Sequence, residues 1–328
     1  MHEKYFIISV DTEEDYVFYN NRTHETSVNN LKGILRFQDL CDKFGFIPTY
    51  LCTYHVAKSN LSEQFLKPIL QNNRCEIGSH FHPWLTPPQQ EKKEGLNLVS
   101  SDYENDILKM KFDYLHNSII ERFGIIPKAF RAGRWVMNPF QLKLLFKYNY
   151  SVDTSVLPFV DYSNISRKKS PQSDYRYVPI KPFYFIEPHI YPHGSKAGIL
   201  EVPVSSDLFF CGLSMKLFEW AKENIPKFQN IFCWRVFKFG VVSFQWPTFI
   251  DNLERLRKMI KRLNSKNFSV LNFAIHSNEL SAGYHPSLFE QNRVDLLFQQ
   301  MEGIFKFLSS AGYLGVGLSE FAIKIFNK

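Results

Sequence analysis

The sequence predicts an α/β fold, a single-domain barrel of mostly parallel strands, and three observations predict it. Short apolar runs of roughly four to eight residues alternate with amphipathic helical segments along most of the chain. Several of these runs are apolar on both faces, as strands sandwiched between helix layers must be. Polar residues of unusual type recur at the C-terminal ends of the runs, where the loops of a parallel sheet converge. An open doubly wound sheet is the alternative arrangement of the same elements.

Tyr5–Val10 is the first strand, continuously apolar apart from Ser9. Leu31–Phe44 has helical spacing through Ile34, Leu35, Phe37, Cys41 and Phe44, and Gly45 stops it. Phe46–Leu51 reads as strand, Leu61–Gln71 as a short helix and Cys75–Ser79 as strand. Ser101-Asp102-Tyr103-Glu104 reads as a capping box that opens a long helix ending at Gly124. Pro127–Arg131 is the next strand. Asn138-Pro139 joins an N-cap to a proline at the first helical position and launches a helix to Tyr148. Tyr150–Thr154 is strand again. Residues 155–198, rich in Pro, Ser and Tyr, break the alternation and are expected to form an insertion or long loop over one mouth. Ile199–Val204 resumes the strands. Helices follow near 213–224 and 249–263, then a strand Phe268–Ile275, a helix 287–309, a strand Tyr313–Val316 and a short closing helix. With no repeat and no linker, residues 1–328 read as one domain.

Hydrophobic residues make up 45% of the chain, enough for a large core. Aromatics are 16%, which suits sugar platforms, though most belong to a Phe-rich core. The net charge of +7 suits an anionic partner such as a phosphate-bearing sugar. Its densest run, 255–262, interleaves with the stripe Leu253, Leu256, Met259, Ile260 and Leu263, as on the solvated face of an ordinary helix. Peripheral membrane contact is the alternative for that face. No basic patch is interleaved with aromatics, which argues against a nucleic-acid partner. Cysteines at 41, 52, 75, 211 and 233 form no CxxC pair, which argues against a disulfide framework or zinc ribbon and suits a reducing compartment. The N-terminus enters a strand without the layout of a signal peptide, and no apolar run reaches the roughly 18 residues of a membrane helix. A cytoplasmic location is therefore expected.

Asp11, Glu13, Glu14 and Asp15 leave the first strand together. Like charges so close repel one another unless a cation binds them. A solvated acidic turn is the plain alternative, but this run leaves a buried strand, so part of it is poorly hydrated. Asp11 and Glu13 share a face of extended chain, as do His80 and His82 in Ser79-His80-Phe81-His82-Pro83-Trp84. Two histidines and a carboxylate make the open ligand set of catalytic zinc and similar divalent ions. A histidine satisfied by the core is the alternative. In Phe130-Arg131-Ala132-Gly133-Arg134-Trp135, a guanidinium at a strand end suits a carboxylate clamp or a structural ion pair. Asp153 lies in the strand at 150, and His276 ends the strand at 268, where it suits proton donation or a core hydrogen bond. Trp84, Arg134 and Trp135 are candidate substrate contacts, and Trp246 also sits near a strand-end loop; core packing is the alternative for each tryptophan. His24, His55, His189, His193 and His285 read as surface or structural.

Taken in order, these motifs resemble the polysaccharide deacetylase family, the NodB-homology or carbohydrate esterase family 4 fold, from about residue 5 to 280. The resemblance implies a distorted (β/α) TIM-like barrel of about seven parallel strands. It implies hydrolysis of N-acetyl groups on sugars with a divalent metal, Zn2+ foremost, with Co2+, Mn2+ or Ni2+ as alternatives. By the same resemblance Asp11 is the base, His80 the first metal histidine, Arg131 the residue that orients the base, His276 the acid and Asp153 a supporting aspartate. Thr12 stands where the family often has a second aspartate, so Glu13 is the expected metal carboxylate. Trp84 stands at the usual place of the second histidine, so His82 is expected to replace it. With a cytoplasmic location, the implied substrate is a nucleotide- or lipid-linked sugar in O-antigen or capsule assembly. Three other readings remain: a glycoside hydrolase pairing Asp11 with Asp153 without metal, a deformylase of lipid-linked aminosugars, and a carbohydrate-binding pseudo-enzyme.

Overall fold

The chain alternates strand and helix from its start, in a computed structural model that describes residues 3–19, 26–89, 99–165, 170–186, 189–193, 198–208, 241–266 and 268–326. The first half runs β1 (Lys4–Thr12), α1 (Gly33–Lys43), β2 (Pro48–Cys52), α2 (Tyr54–Lys58), α3 (Asn60–Phe65), α4 (Lys67–Gln71), β3 (Glu76–Phe81), α5 (Asn105–Phe123), β4 (Ala129–Ala132), α6 (Pro139–Lys147) and β5 (Val152–Asp153). Then come β6 (Phe183–Ile186), β7 (His189–His193), β8 (Ile199–Glu201), β9 (Ser206–Leu208), β10 (Val241–Ser243), α7 (Trp246–Ser265), β11 (Val270–His276), α8 (Gln291–Ser310), β12 (Tyr313–Gly315) and α9 (Leu318–Phe326).

The main sheet has the order β11-β1-β2-β3-β4-β5-β8, every neighbour parallel, and β12 pairs in parallel with the first residues of β1. Among the described residues this sheet holds eight parallel strands, in line with the expected seven or so. The sheet is curled. Just past β8, Ser205 donates its N–H to the Asn272 carbonyl of β11 at 3.0 Å, which draws the two ends of the parallel run together. Asn272 Nδ2 reaches Thr154 Oγ1 and the Val202 carbonyl across the same gap. The fold is thus the distorted α/β barrel that the alternation predicts. β1 is buried on both faces from Tyr5 to Thr12, which explains its unbroken apolar character.

One expectation is corrected and another is filled in. The long helix α5 starts at Asn105, and Ser100–Asp102 forms a separate 3-10 turn in which Asp102 accepts from the Val99 N–H. The Ser101–Glu104 quartet therefore does not open α5 as a capping box; Asp102 caps the preceding turn through Val99 instead. Part of the 155–198 excursion is ordered sheet: β6 pairs antiparallel with both β8 and β7. Its Pro and Tyr residues hid a hairpin added to the edge of the parallel run. Asn138 does cap α6, accepting from the Gln141 N–H at 2.7 Å. The helix expected near 213–224, together with Cys211, Cys233 and His24, lies outside the described residues. Cys41, Cys52 and Cys75 are buried free thiols. On α7, Leu256, Met259, Ile260 and Leu263 are buried, while Arg255, Arg257, Lys258, Lys261 and Arg262 face solvent. No helix among the described residues is long and apolar enough to cross a membrane.

Phe6 of β1 sits among Phe46, Phe305 and Phe244, with ring centroids 4.9, 5.4 and 5.7 Å away. These rings join β1 to α8 and to the segment after β10. Phe6→Ala should lower unfolding free energy by about 3–5 kcal/mol in chemical denaturation, because the surrounding rings cannot close the void.

Candidate active site

Strand register assembles the site. Thr12, Cys52 and Ser79 share one level of the sheet, so Glu13 and His80 rise together at the next. β4 pairs Arg131 with His80, and β11 pairs His276 with Asp11. Asp11, Glu13, His80, His82 and His276 line one cavity of about 640 Å³ with Trp84, Arg134 and Trp135. Arg131 lies buried directly behind Asp11. The residues singled out along the sequence thus meet at the C-terminal rim, apart from Asp153.

Arg131 fixes the base of the cavity. Its Nη1 donates to Asp11 Oδ1 at 2.5 Å, its Nη2 to Ser9 Oγ at 2.6 Å and its Nε to the Thr154 carbonyl at 2.9 Å. Burial alone would raise the Asp11 pKa. The guanidinium, with His80 and His276 nearby, outweighs burial and holds it below the usual carboxylate value. Asp11 is therefore a carboxylate with one oxygen engaged; the other, Oδ2, stands 3.5 Å from His276 Nε2 and 4.0 Å from His80 Nε2.

The histidine pair poses an electrostatic problem. His80 Nδ1 lies 3.1 Å from the Arg131 carbonyl, which can only accept, so that nitrogen carries the proton. His82 Nδ1 faces Glu14 Oε2 at 3.5 Å, which assigns its proton in the same way. Both Nε2 atoms then present lone pairs, yet they stand 2.9 Å apart. Glu13 Oε2 is 3.3 Å from one and 3.5 Å from the other. Glu13 Oε1 is buried without a hydrogen-bond partner. Ligand atoms of Glu13, His80 and His82 all fall within 4.8 Å of one another. Two imidazoles and a carboxylate gathered this closely fit a divalent cation.

His276 is the opposite case. Its backbone N–H and Nδ1 both contact Glu279, at 3.1 and 2.8 Å. Burial would lower its pKa, but Glu279, Glu13 and Asp11 together lift it to about 9. The ring is protonated at neutral pH, with Nε2 directed at Asp11.

The four acidic residues after β1 do not act as one cluster. Asp15 accepts from the backbone N–H groups of Asn29 and Asn30 at 2.9 Å and anchors the loop. Glu14 turns away from the cavity to His55 Nδ1 at 2.9 Å. His55, expected to be surface or structural, takes a structural part beside the site. Asp153 pairs with Phe130, the residue before Arg131, so the pleat aims it at the opposite face. Its carboxyl accepts from Ser155 Oγ at 2.6 Å, and Ser155 in turn accepts from the Ala132 N–H at 2.8 Å. Asp153 supports the Arg131 strand and does not line the cavity.

Trp84 stacks on His82 with centroids 4.3 Å apart and carries the Arg134 guanidinium 4.4 Å above its ring. Trp135 lies 4.8 Å from the Arg131 guanidinium. Arg134 and Trp135 have φ of 55° and 61°, so two left-handed residues turn their side chains into the cavity. Gly133 permits that turn: a Cβ there would stand 2.6 Å from His82 Cδ2. The side chains of Trp246, His189 and His193 lie outside the described residues. Glu279 and Ser155 are supporting residues that the sequence reading missed, and only the spacing of Glu279, three after His276, hinted at either. Glu14 stood in the acidic run and His55 among the surface or structural histidines, but nothing in the sequence paired them.

No protein-family model and no curated protein matches the chain. Solved structures resemble its fold. One is a candidate polysaccharide deacetylase from Mycobacterium smegmatis, with 14% identity, TM-score 0.51, and coverage of 98% of this chain and 90% of that one. A 4-alpha-glucanotransferase from Thermococcus litoralis has 11% identity and TM-score 0.55, covering 99% of this chain and 41% of that one. A GH57 branching enzyme from Thermococcus kodakaraensis has 10% identity and TM-score 0.52, covering 97% of this chain and 70% of that one. At these identities the likeness concerns the fold.

Arg131→Met should destabilise the protein by roughly 3–5 kcal/mol, because it strands a buried carboxylate. Denaturation at pH 7 checks this. The double variant Arg131→Met/Asp11→Leu should recover much of the loss.

Proposed function

We propose that the protein is a metal-dependent deacetylase of N-acetylated sugars. The observation that carries this reading is the convergence of Glu13, His80 and His82 beside an Arg131-held Asp11 and a protonated His276 in one cavity. The unshared electron pairs of Glu13, His80 and His82 suit Zn2+, with Co2+, Mn2+ and Ni2+ as alternatives. A divalent cation held there supplies Lewis-acid polarisation and lowers the pKa of water.

The chain's own residues supply the rest. Asp11, ionised and fixed by Arg131, takes the proton of the attacking water through its open Oδ2. His276 Nε2 holds the proton that the leaving amine requires, and Glu279, accepting from Nδ1–H, keeps the ring charged and oriented. Trp84 and Trp135 offer flat apolar faces to a sugar ring. Hydrolysis then adds water across the amide carbon–nitrogen bond, releasing acetate and the free amine.

The net charge of +7 supports a substrate attached to phosphate, as in nucleotide- or lipid-linked precursors of surface polysaccharide, handled in the cytoplasm. A smaller acyl group, formyl, suits the same machinery. One observation favours a second reading, a glycoside hydrolase. Burial raises the Glu13 pKa to about 7, more than the nearby His276 and His82 lower it, while Asp11 stays low; this is the split expected of an acid–base carboxyl pair. The intended partner Asp153 faces elsewhere, so Glu13 takes its place in that reading.

Two measurements test the proposal. Acetate release from N-acetylated amino sugars should stop on chelation and return with Zn2+, and Asp11→Asn should lower kcat by about 10²–10⁴-fold. Glycosidic cleavage insensitive to chelation would establish the hydrolase instead. The rate should also fall as pH rises through about 9, where His276 loses its proton. The sign follows from its role: a donor with a raised pKa is competent below that pH and lost above it. His276→Gln should remove this alkaline limb.

A further inference from the structure

We infer that Glu14 and His55 form a relay behind His82 that sets the affinity of the site for its cation, an inference that rests on the metal reading above. Neighbouring residues of an extended strand point to opposite faces, so Glu13 and Glu14 are divided between two tasks. Glu13 faces the cavity. Glu14, fully buried, faces α2, and its two oxygens bridge two histidines: Oε1 is 2.9 Å from His55 Nδ1 and Oε2 is 3.5 Å from His82 Nδ1.

Two buried atoms make the case. Glu14 Oε2 and His82 Nδ1 each lack a hydrogen-bond partner, and they face each other. The His82 ring is confined on its sides by the Trp84 stack at 4.3 Å and by the close approach of Gly133. A small shift of the ring toward Glu14 would close the 3.5 Å contact into an Nδ1–H···O hydrogen bond.

A carboxylate behind an imidazole raises its basicity and fixes its tautomer, and such partners typically change metal affinity about 10–100-fold. Glu14 is itself held in place. Its carbonyl accepts from Asn278 Nδ2 at 2.8 Å, and His55 secures its far oxygen from the half-buried first turn of α2. His55 acts only through Glu14, so the two are positioning residues.

The experiment is a zinc titration of metal-free full-length protein against a chromophoric chelator, with the cobalt absorption spectrum as a second readout. Glu14→Gln should weaken Zn2+ binding by about 10–100-fold. His55→Gln should weaken it less, and the double variant should bind no more weakly than Glu14→Gln alone, since His55 works through Glu14. Additive losses, or wild-type affinity in Glu14→Gln, overturn the relay. Should Glu14→Gln fail to fold by circular dichroism, the half-buried His55→Gln decides: unchanged affinity and cobalt spectrum overturn the proposal. A different result marks failure of the metal reading itself. In that case wild type, Glu13→Gln and His80→Ala all take up zinc equally weakly.

Discussion

A guanidinium with no exposure to solvent is the constraint on which the rest of this rim depends. Arg131 reaches from β4 to Ser9 and Asp11 on β1 and to Thr154 just past β5. Burying that charge is favourable only where every donor is satisfied and an anion lies alongside. The strands around it must therefore keep their register, because a slip of one residue would replace Asp11 with Val10 or Thr12 and leave the cation unpaired. The same bond that holds the barrel wall together keeps Asp11 ionised and aimed.

Around that pair the other charges are sorted. Asp15 is absorbed by backbone amides, Glu14 by His55, Glu279 by His276, and Glu13 is left facing two lone pairs. Three of these carboxylates have partners that make their burial tolerable. The fourth faces the ring nitrogens of His80 and His82 instead, with ligand atoms of all three within 4.8 Å of one another, a set that fits a cation. The case for metal chemistry lies in that contrast rather than in the presence of histidines alone.

The chemistry was legible in the sequence because it sits on strand ends, where two-residue spacing puts Asp11 with Glu13 and His80 with His82 whatever the wider fold. The supporting residues were not. His55 reaches Glu14 only because β1 and β2 are neighbours and α2 starts directly after β2, which no local pattern encodes. Asp153 looked like its companions, being acidic and near a strand end, yet it fell on the other face because its place in the pleat is one residue out of step with Arg131. The β6–β7 hairpin was hidden for a different reason. Its strands are short and Pro-flanked, so neither periodicity nor composition set them apart from loop.

Pleat parity gives the site its two-layered construction. Along the rim of β1, Asp11 and Glu13 face the cavity while Glu14 faces the scaffold, and on β3 Phe81 packs into the core between His80 and His82. Each reactive side chain is thus flanked in sequence by a residue that fixes the backbone beneath it. Precise placement requires such alternation, because a ligand carried on a loop would hold its position far less tightly. The alternation ends at the turn Gly133–Trp135, and there two left-handed residues are accepted to bring Arg134 and Trp135 round to the cavity. Strain kept at that point and absent from the strands that carry Asp11 and His80 gives the cavity a rigid floor and an aromatic wall built on a separate turn, a division that suits the function proposed above.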